Sequence, residues 1–257
     1  MLICTILPER MRLCNVRSPS RAKVRIYLVF LFFALFFESG LSQSVNYKDI
    51  FGDDWEKAVA FEKENRSWME PVLTENNISY TLAISIIFPE LVRYSALQDK
   101  MEITLLKTLY VNLGEDYANF SIGQFQMKPS FAEMIREKAP AVLGQTSRIK
   151  FKNNLNSNDI KEFRKTIIKE LEDPKSQINY LVVFIKICEK DFGTGSEDEL
   201  SQVKFLSTAY NFGFDKKKED IEGMTEKKFF NTSLLSTESY SYADVSLFWY
   251  KQYLSGK

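Results

Sequence analysis

The sequence contains no histidine, and this absence excludes several kinds of active site. Neither a Ser-His-Asp triad nor a Cys-His pair can form, and no metal can be bound through imidazole. The three cysteines, Cys4, Cys14 and Cys188, include no C-x-x-C pair of the kind found in zinc or redox sites. The 10 glycines are too scattered to form a dinucleotide-binding or phosphate-binding loop. The remaining chemistry depends on carboxylates, hydroxyls and amides, and we expect no metal and no cofactor.

Residues 1–42 have the features of a secretory signal peptide. Basic residues precede an apolar run from Tyr27 to Phe37, and Gly40 and Ser42 place small residues before a cleavage point. The apolar run is shorter than the roughly 20 residues that span a bilayer, so an uncleaved membrane anchor is the less favoured alternative. We therefore expect a protein exported to the periplasm or the extracellular space.

Without residues 1–42 the chain is mildly acidic. Those residues hold 6 of the 34 Lys and Arg and 2 of the 34 Asp and Glu, which leaves 28 basic and 32 acidic residues. Nucleic-acid binding is not expected, because it requires a basic surface. Cys188 is the one cysteine that remains, so no internal disulfide can form. An exported protein without disulfides is typical of a bacterial cell envelope.

The apolar residues have helical spacing nearly throughout, which predicts an all-α domain of about eight helices. The most apolar helix runs from Tyr80 to Tyr94 and should be buried on most sides. It contains Pro89, which should bend the chain just before Glu90. Further helices are expected over Pro129–Lys138, after Asp173-Pro174 as far as Gly193, and over Tyr242–Leu254.

Capping residues predict where two other helices begin. Asp53 or Asp54 is expected to cap the first helix of the mature chain. Ser196, three residues before Glu199, predicts a capping box for a helix that reaches Tyr210.

Glu90 is the first candidate for chemistry, because it follows the apolar segment Ile86–Pro89. A carboxyl in that position should lose solvation, which raises its pKa and makes it a proton donor near neutral pH. The alternative is that Glu90 pairs with Arg93 or faces water.

Two later segments carry polar groups suited to a sugar. Residues 120–130 include Gly123 and Gln126 among aromatic and amide side chains, and amides with aromatic faces suit sugar hydroxyls and ring faces. The alternative is an ordinary polar loop. Residues 209–213 contain Tyr210 and Asn211 at the end of a helix, where a simple helix stop is equally compatible with the sequence.

The order of these three segments resembles the lysozyme-like superfamily, in particular bacterial lytic transglycosylases of the SLT type and goose-type lysozymes. Glu90 matches the family's catalytic glutamate at a helix end. Gly123 and Gln126 match the first and fourth positions of its Gly-Leu-Met-Gln loop, and residues 209–213 match its Ala-Tyr-Asn-Ala-Gly motif except at the fourth position. The resemblance covers roughly residues 78–215.

The resemblance implies a lysozyme-like domain over residues 78–257, preceded by the signal peptide and by an N-terminal helical extension over residues 43–77. It implies cleavage of the β-1,4 bond between N-acetylmuramic acid and N-acetylglucosamine in peptidoglycan, with Glu90 as the single catalytic group and 1,6-anhydro-muramyl ends as products. Glycan strands of peptidoglycan are the implied partner. The implied substrate-binding residues are Gly123, Gln126, Tyr210 and Asn211.

The sequence also departs from the family pattern. Leu91 replaces the serine that usually follows the catalytic glutamate, and a predicted helix from Leu97 to Leu113 lengthens the chain before the loop. If water attacks instead of the sugar's own hydroxyl, a second carboxylate is needed, for which Glu115 and Asp116 are candidates. Two alternatives to an enzyme stay open. One is a catalytically inactive glycan-binding or scaffold protein of the cell envelope, and the other is a helical interaction protein that binds no glycan.

Overall fold

The chain is mainly helical, as its apolar spacing predicts. The structure is a computed structural model that describes residues 45–96, 100–151, 160–231 and 238–256. Asn46–Lys257 forms one compact unit. The predicted signal peptide lies outside the described residues, and the division between residues 43–77 and 78–257 stays a prediction.

In the described ranges, eight helices have 10 or more residues and two are shorter. In chain order the helices are α1 (Tyr47–Phe51), α2 (Asp53–Glu75), α3 (Tyr80–Ala96), α4 (Lys100–Leu113), α5 (Pro129–Lys138), α6 (Ile160–Glu172), α7 (Pro174–Phe192), α8 (Glu199–Phe212), α9 (Lys218–Glu222) and α10 (Tyr242–Ser255). Single 3₁₀ turns are formed by Ala139–Ala141 and Thr194–Ser196. Two short antiparallel strands, β1 (Lys228–Phe230) and β2 (Tyr240–Ser241), were not expected from the sequence.

Helix α3 lies at the centre of the fold. Every residue from Tyr80 to Val92 is buried, and the helix packs against α2, α7, α8 and α10. The expectation of a helix buried on most sides is therefore confirmed. Pro89 lies inside α3, which continues to Ala96. Within the described ranges, no helix combines the length and apolarity needed to cross a membrane.

Several helix ends lie where the sequence places them. Helix α5 has Pro129 as its first residue. The side chain of Asp173 caps α7 by accepting a hydrogen bond from the Lys175 N–H, and Gly193 ends α7 in the left-handed conformation with φ 72°. These signals are local, since Pro129 and Gly193 act through their own backbone preferences and Asp173 through a hydrogen bond to a residue two positions away.

Both predicted N-caps are wrong. Helix α2 is capped by Gly52, and Asp53 and Asp54 instead lie in its first turn, where negative charge is favourable. Asp198 caps α8, because its carboxylate accepts the N–H groups of Leu200 and Ser201 at 3.1 Å each. A carboxylate in this position accepts more strongly than a serine hydroxyl two residues away.

Ser196 takes a different role from the one expected. It lies in the 3₁₀ turn that follows α7, where its hydroxyl donates to the Gly193 carbonyl at 2.9 Å. Helix α8 extends to Phe212, two residues beyond the expected Tyr210, so Tyr210 and Asn211 both lie on its last turn.

Candidate functional site

A cavity of about 260 Å³ lies beside α3. Its wall combines residues from α3, the loop before α5, α5 itself, and the end of α8 with the turn that follows. Four of the predicted site residues line it, although they are distant in sequence: Glu90, Gln126, Tyr210 and Asn211. The three segments predicted to carry chemistry therefore meet in one place.

Glu90 is deeply buried in the wall of this cavity, with 3% of its surface exposed. Burial raises the pKa of Glu90 to about 7, against the opposing attraction of Arg93 and Lys128 and hydrogen bonds from Arg93 and Tyr242. Desolvation penalises the charged form, and here it outweighs the neighbouring positive charges. The protonated form, which proton donation requires, is thus favoured in Glu90 relative to an exposed glutamate.

Arg93 lies one turn further along α3 and pairs with Glu90. Its Nη1 is 3.1 Å from each carboxyl oxygen. The same guanidinium lies over the Phe230 ring, 4.5 Å from its centroid, and Nε donates to the Asn231 carbonyl at 3.2 Å. One nitrogen serves both oxygens, at distances longer than the 2.7–2.9 Å typical of charge-assisted bonds. Both interpretations of Glu90, a desolvated acid and a partner of Arg93, are therefore present in the geometry.

Tyr242 is a site residue that sequence reasoning missed. Its hydroxyl donates to the Ile86 carbonyl at 3.0 Å and also interacts with the Glu90 carboxyl. Burial, and then the charge of Glu90, raises the pKa of Tyr242 well above its usual value. The sequence marked Tyr242 as the start of the last helix, which does not reveal that its side chain reaches the centre of α3.

The loop before α5 is a tight turn closed by backbone hydrogen bonds. Ile122 and Met127 exchange two such bonds, at 2.9 and 3.1 Å, and the Gln126 N–H donates to the Gly123 carbonyl at 3.1 Å. Gly123 has φ 71°, and a Cβ there would lie 2.2 Å from the Leu171 carbonyl oxygen, so only glycine fits. Gly123 is not among the residues that line the cavity, and its visible role is to let the turn approach the end of α6.

Two side chains hold this turn in place. The buried Gln177 amide accepts from the Phe125 N–H at 3.1 Å and donates to the Ile122 carbonyl at 2.8 Å. The Tyr210 hydroxyl donates to the Phe125 carbonyl at 2.7 Å. Tyr210 therefore bonds to the loop backbone, and it is near enough to Glu90 for that charge to raise its pKa further, after burial. Gln177 was also missed, because it lies in the polar first turn of α7, before the apolar residues that begin at Ile178.

The side-chain amides of Gln126 and Asn211 differ in whether their N–H groups already have a hydrogen-bond acceptor. The Gln126 side chain donates to the Gly123 carbonyl at 2.8 Å, and its backbone has φ 50°, an uncommon value outside glycine. Nδ2 of Asn211 is buried and has no hydrogen-bond partner among the described residues. A buried donor without an acceptor costs about 1–3 kcal/mol.

The two residues predicted as candidates for a second carboxylate do not lie at the Glu90 cavity. Glu115 and Asp116 are exposed in the turn after α4 and do not line the cavity. Asp215 does line it, and pairs with Nζ of Lys216 at 2.6 Å. In the described parts of the chain, no group of three or more His, Cys, Asp or Glu residues is placed to hold a metal ion.

Compared with protein-family models, curated proteins and solved structures, the chain shows no significant match to any of them. Membership of the lysozyme-like superfamily therefore stays a prediction from the motifs. A functional proposal depends on the geometry of the Glu90 cavity and on the chemistry that its residues can perform.

Proposed function

We propose that the protein cleaves the β-1,4 bond between N-acetylmuramic acid and N-acetylglucosamine in peptidoglycan, as a lytic transglycosylase. The observation that carries this proposal is a buried carboxyl with a pKa of about 7 in the wall of a cavity that also presents Gln126, Tyr210 and Asn211. A buried acid with neighbouring amides suits a glycan, which offers a basic glycosidic oxygen and acetamido groups.

In the proposed mechanism, protonated Glu90 donates its proton to the glycosidic oxygen while the neighbouring N-acetyl group stabilises the anomeric carbon. The carboxylate that forms is then stabilised by Arg93, and by Tyr242 if its one hydroxyl proton turns from the Ile86 carbonyl toward Glu90. It next accepts the proton of the sugar's 6-hydroxyl, which closes the 1,6-anhydro ring. A group with a pKa near the working pH can serve as acid and then as base.

The remaining cavity residues have supporting roles in this proposal. Gln126 and Asn211, which both line the cavity, bind the acetamido group. Tyr210 positions the loop through the Phe125 carbonyl. Gly123 and Gln177 act on the same loop through its backbone. Export through the predicted leader, residues 1–42, would deliver the protein to its substrate.

One observation favours a second candidate, a catalytically inactive glycan-binding protein of the cell envelope. The Arg93 guanidinium contacts both oxygens of Glu90, and a positive charge there favours the ionised form, which has no proton to donate. The presence of Leu91 in place of the serine that usually follows the catalytic glutamate also favours the inactive protein. The two candidates share the cavity and differ in the protonation state of Glu90.

Product analysis separates the candidates. The protein lacking residues 1–42 is incubated with purified sacculi, and the soluble products are analysed by mass spectrometry. Anhydro-muramyl products, one water lighter than the hydrolysis products, support the proposal. Reducing-end products indicate a hydrolase, for which Asp215 is the second carboxylate in the cavity wall. Sacculi that bind the protein but release nothing indicate the inactive glycan-binding protein. The Glu90→Gln variant serves as the matched control for released material.

A further inference from the structure

The Glu90 cavity is rich in positive charge, although the chain without its predicted leader is mildly acidic. Three cations line the cavity: Arg93, Lys128 and Lys216. Lys216 pairs with Asp215 at 2.6 Å, so these two charges offset one another. The positive charge of the cavity that Asp215 does not offset comes from Arg93 and Lys128.

These two cations differ in how they are held. Arg93 is fixed by the Phe230 ring and the Asn231 carbonyl, and its side chain is 20% exposed. Lys128 is exposed at the end of the loop and has no ion-pair partner among the described residues. Both line the same cavity as Glu90, and the charge of each lowers the pKa of its carboxyl. When Glu90 is neutral, the carboxylate that pairs with Arg93 is gone, and two positive charges face the cavity.

We propose that Arg93 and Lys128 form a subsite that binds a carboxylate carried by the glycan ligand. The nature of the ligand rests on the proposed function, whereas the charge of the subsite does not. A planar guanidinium and an exposed ammonium that line the same cavity suit a carboxylate, which can accept hydrogen bonds from both.

This subsite distinguishes classes of glycan. N-acetylmuramic acid carries a lactyl carboxyl, which is free or extended by a peptide that ends in a carboxylate, whereas a strand built from N-acetylglucosamine alone is neutral. The subsite would therefore select the muramyl sugar and fix which side of the scissile bond it occupies. Lys128 would be a specificity-determining residue, since its position in the cavity wall serves no ion pair within the described protein.

Binding of a carboxylate would also act on Glu90. The groups that influence Glu90 are Arg93 on α3, Lys128 in the loop, Tyr210 on α8 and Tyr242 on α10. A ligand carboxylate would take up the two positive charges that favour the ionised form of Glu90. The protonated form, which donates the proton, would then be favoured when the muramyl sugar is bound.

Binding measurements test this subsite without any turnover. Glu90→Gln protein, which mimics neutral Glu90, is titrated calorimetrically with the N-acetylglucosaminyl–N-acetylmuramic acid disaccharide and with the amide of its lactyl group. We expect the acid to bind about tenfold more tightly than the amide, as for one charge-assisted hydrogen bond at a partly exposed site. The difference should shrink as ionic strength rises.

Two lysine substitutions in the same background identify the subsite. Lys128→Gln should remove most of the preference for the acid, whereas Lys227→Gln, which removes an exposed lysine outside the cavity wall, should leave it intact. Equal affinity for acid and amide, or the same affinities in both lysine variants, would overturn the inference. Sodium acetate that competes as well as the disaccharide, against sodium chloride at equal ionic strength, would overturn the assignment to a glycan carboxylate.

Failure of this inference is distinguishable from failure of the proposed function. Sacculi left intact by the wild-type protein, together with a clear preference for the acid disaccharide, would contradict cleavage and leave the subsite standing. Anhydro-muramyl products without any preference for the acid would contradict the subsite and leave cleavage standing.

Discussion

Replacing Glu90 with glutamine should change both the activity and the pH dependence of stability. Glutamine keeps the shape of the side chain but has no acidic proton. We expect cleavage of sacculi to fall by about 10²- to 10⁴-fold, the usual contribution of general acid–base catalysis. The second effect concerns folding, and it follows from the pKa that burial gives this carboxyl.

The sign of the stability effect follows from the pH at which Glu90 binds its proton in the folded and in the unfolded protein. Glu90 has a pKa of about 7 in the folded protein, against 4.5 for an exposed glutamate. Below pH 4.5 both states are protonated, and the burial of Glu90 carries no charge penalty. As the pH rises from 4.5 to 7 the unfolded chain loses the proton first, so the free energy of unfolding falls. The fall amounts to roughly 3 kcal/mol at 1.36 kcal/mol for each pH unit.

Urea denaturation at several pH values measures this difference. The wild-type free energy of unfolding should decline between pH 4.5 and pH 7 by roughly 3 kcal/mol more than that of Glu90→Gln, equivalent to a shift in melting temperature of about 10 °C. Glu226→Gln, which removes an exposed carboxyl, is the matched control and should follow the wild type. Parallel curves for the wild type and Glu90→Gln would refute the reasoning, because they would show that Arg93 holds Glu90 ionised throughout.

Four other substitutions test Tyr242 beside Glu90, the loop before α5 and the buried Cys188. Tyr242→Phe removes a hydrogen bond that lowers the pKa of Glu90, so the alkaline limb of the pH–activity profile should move to higher pH; a shift to lower pH would contradict this. Gln177→Leu leaves the Phe125 N–H without a partner, whereas the Ile122 carbonyl keeps the Met127 N–H; the loss should be about 1–3 kcal/mol in urea denaturation, and an unchanged free energy of unfolding would show that the loop re-forms without Gln177. Gly123→Ala should destabilise the protein far more than Gly144→Ala, since a Cβ at Gly144 meets nothing within 4 Å. Cys188→Ala should leave cleavage unchanged and cost about 1 kcal/mol, because burial raises the pKa of this thiol well above its usual value; labelling of the folded protein by a thiol reagent would contradict that.

The helical class and several helix ends were predictable because they depend on nearby residues. Pro129 begins α5 and Gly193 ends α7 through their own backbone preferences, and the Asp173 side chain caps the start of α7. The predicted capping box at Ser196 failed because Asp198, an equally local signal, supplies a stronger acceptor one residue before α8. The strands β1 and β2 were missed because three and two residues are too few to show an alternating pattern.

The candidate site was predictable in part. Residues marked by their sequence neighbours were found, whereas residues that act through contacts distant in sequence were missed. Glu90 was indicated by the apolar residues before it, since they imply burial of whatever follows. Tyr242 and Gln177 were missed because they act across 156 and 52 positions of sequence, through hydrogen bonds to Ile86 and Phe125. No local pattern records which way such side chains point once the helices are packed.

The same contacts explain why the site requires the whole domain. An ionised Glu90 is unfavourable in the fold, and its burial persists because α3 is surrounded by α2, α7, α8 and α10. Arg93 and Tyr242 then set how far the pKa rises, because one supplies a charge and the other a hydroxyl from a different helix. Detaching α10 would remove the Tyr242 hydroxyl and admit water to α3, and water lowers the pKa of a buried carboxyl toward its ordinary value. The raised pKa of Glu90 is therefore a property of the packed helices, and the sequence around Glu90 could indicate it without determining it.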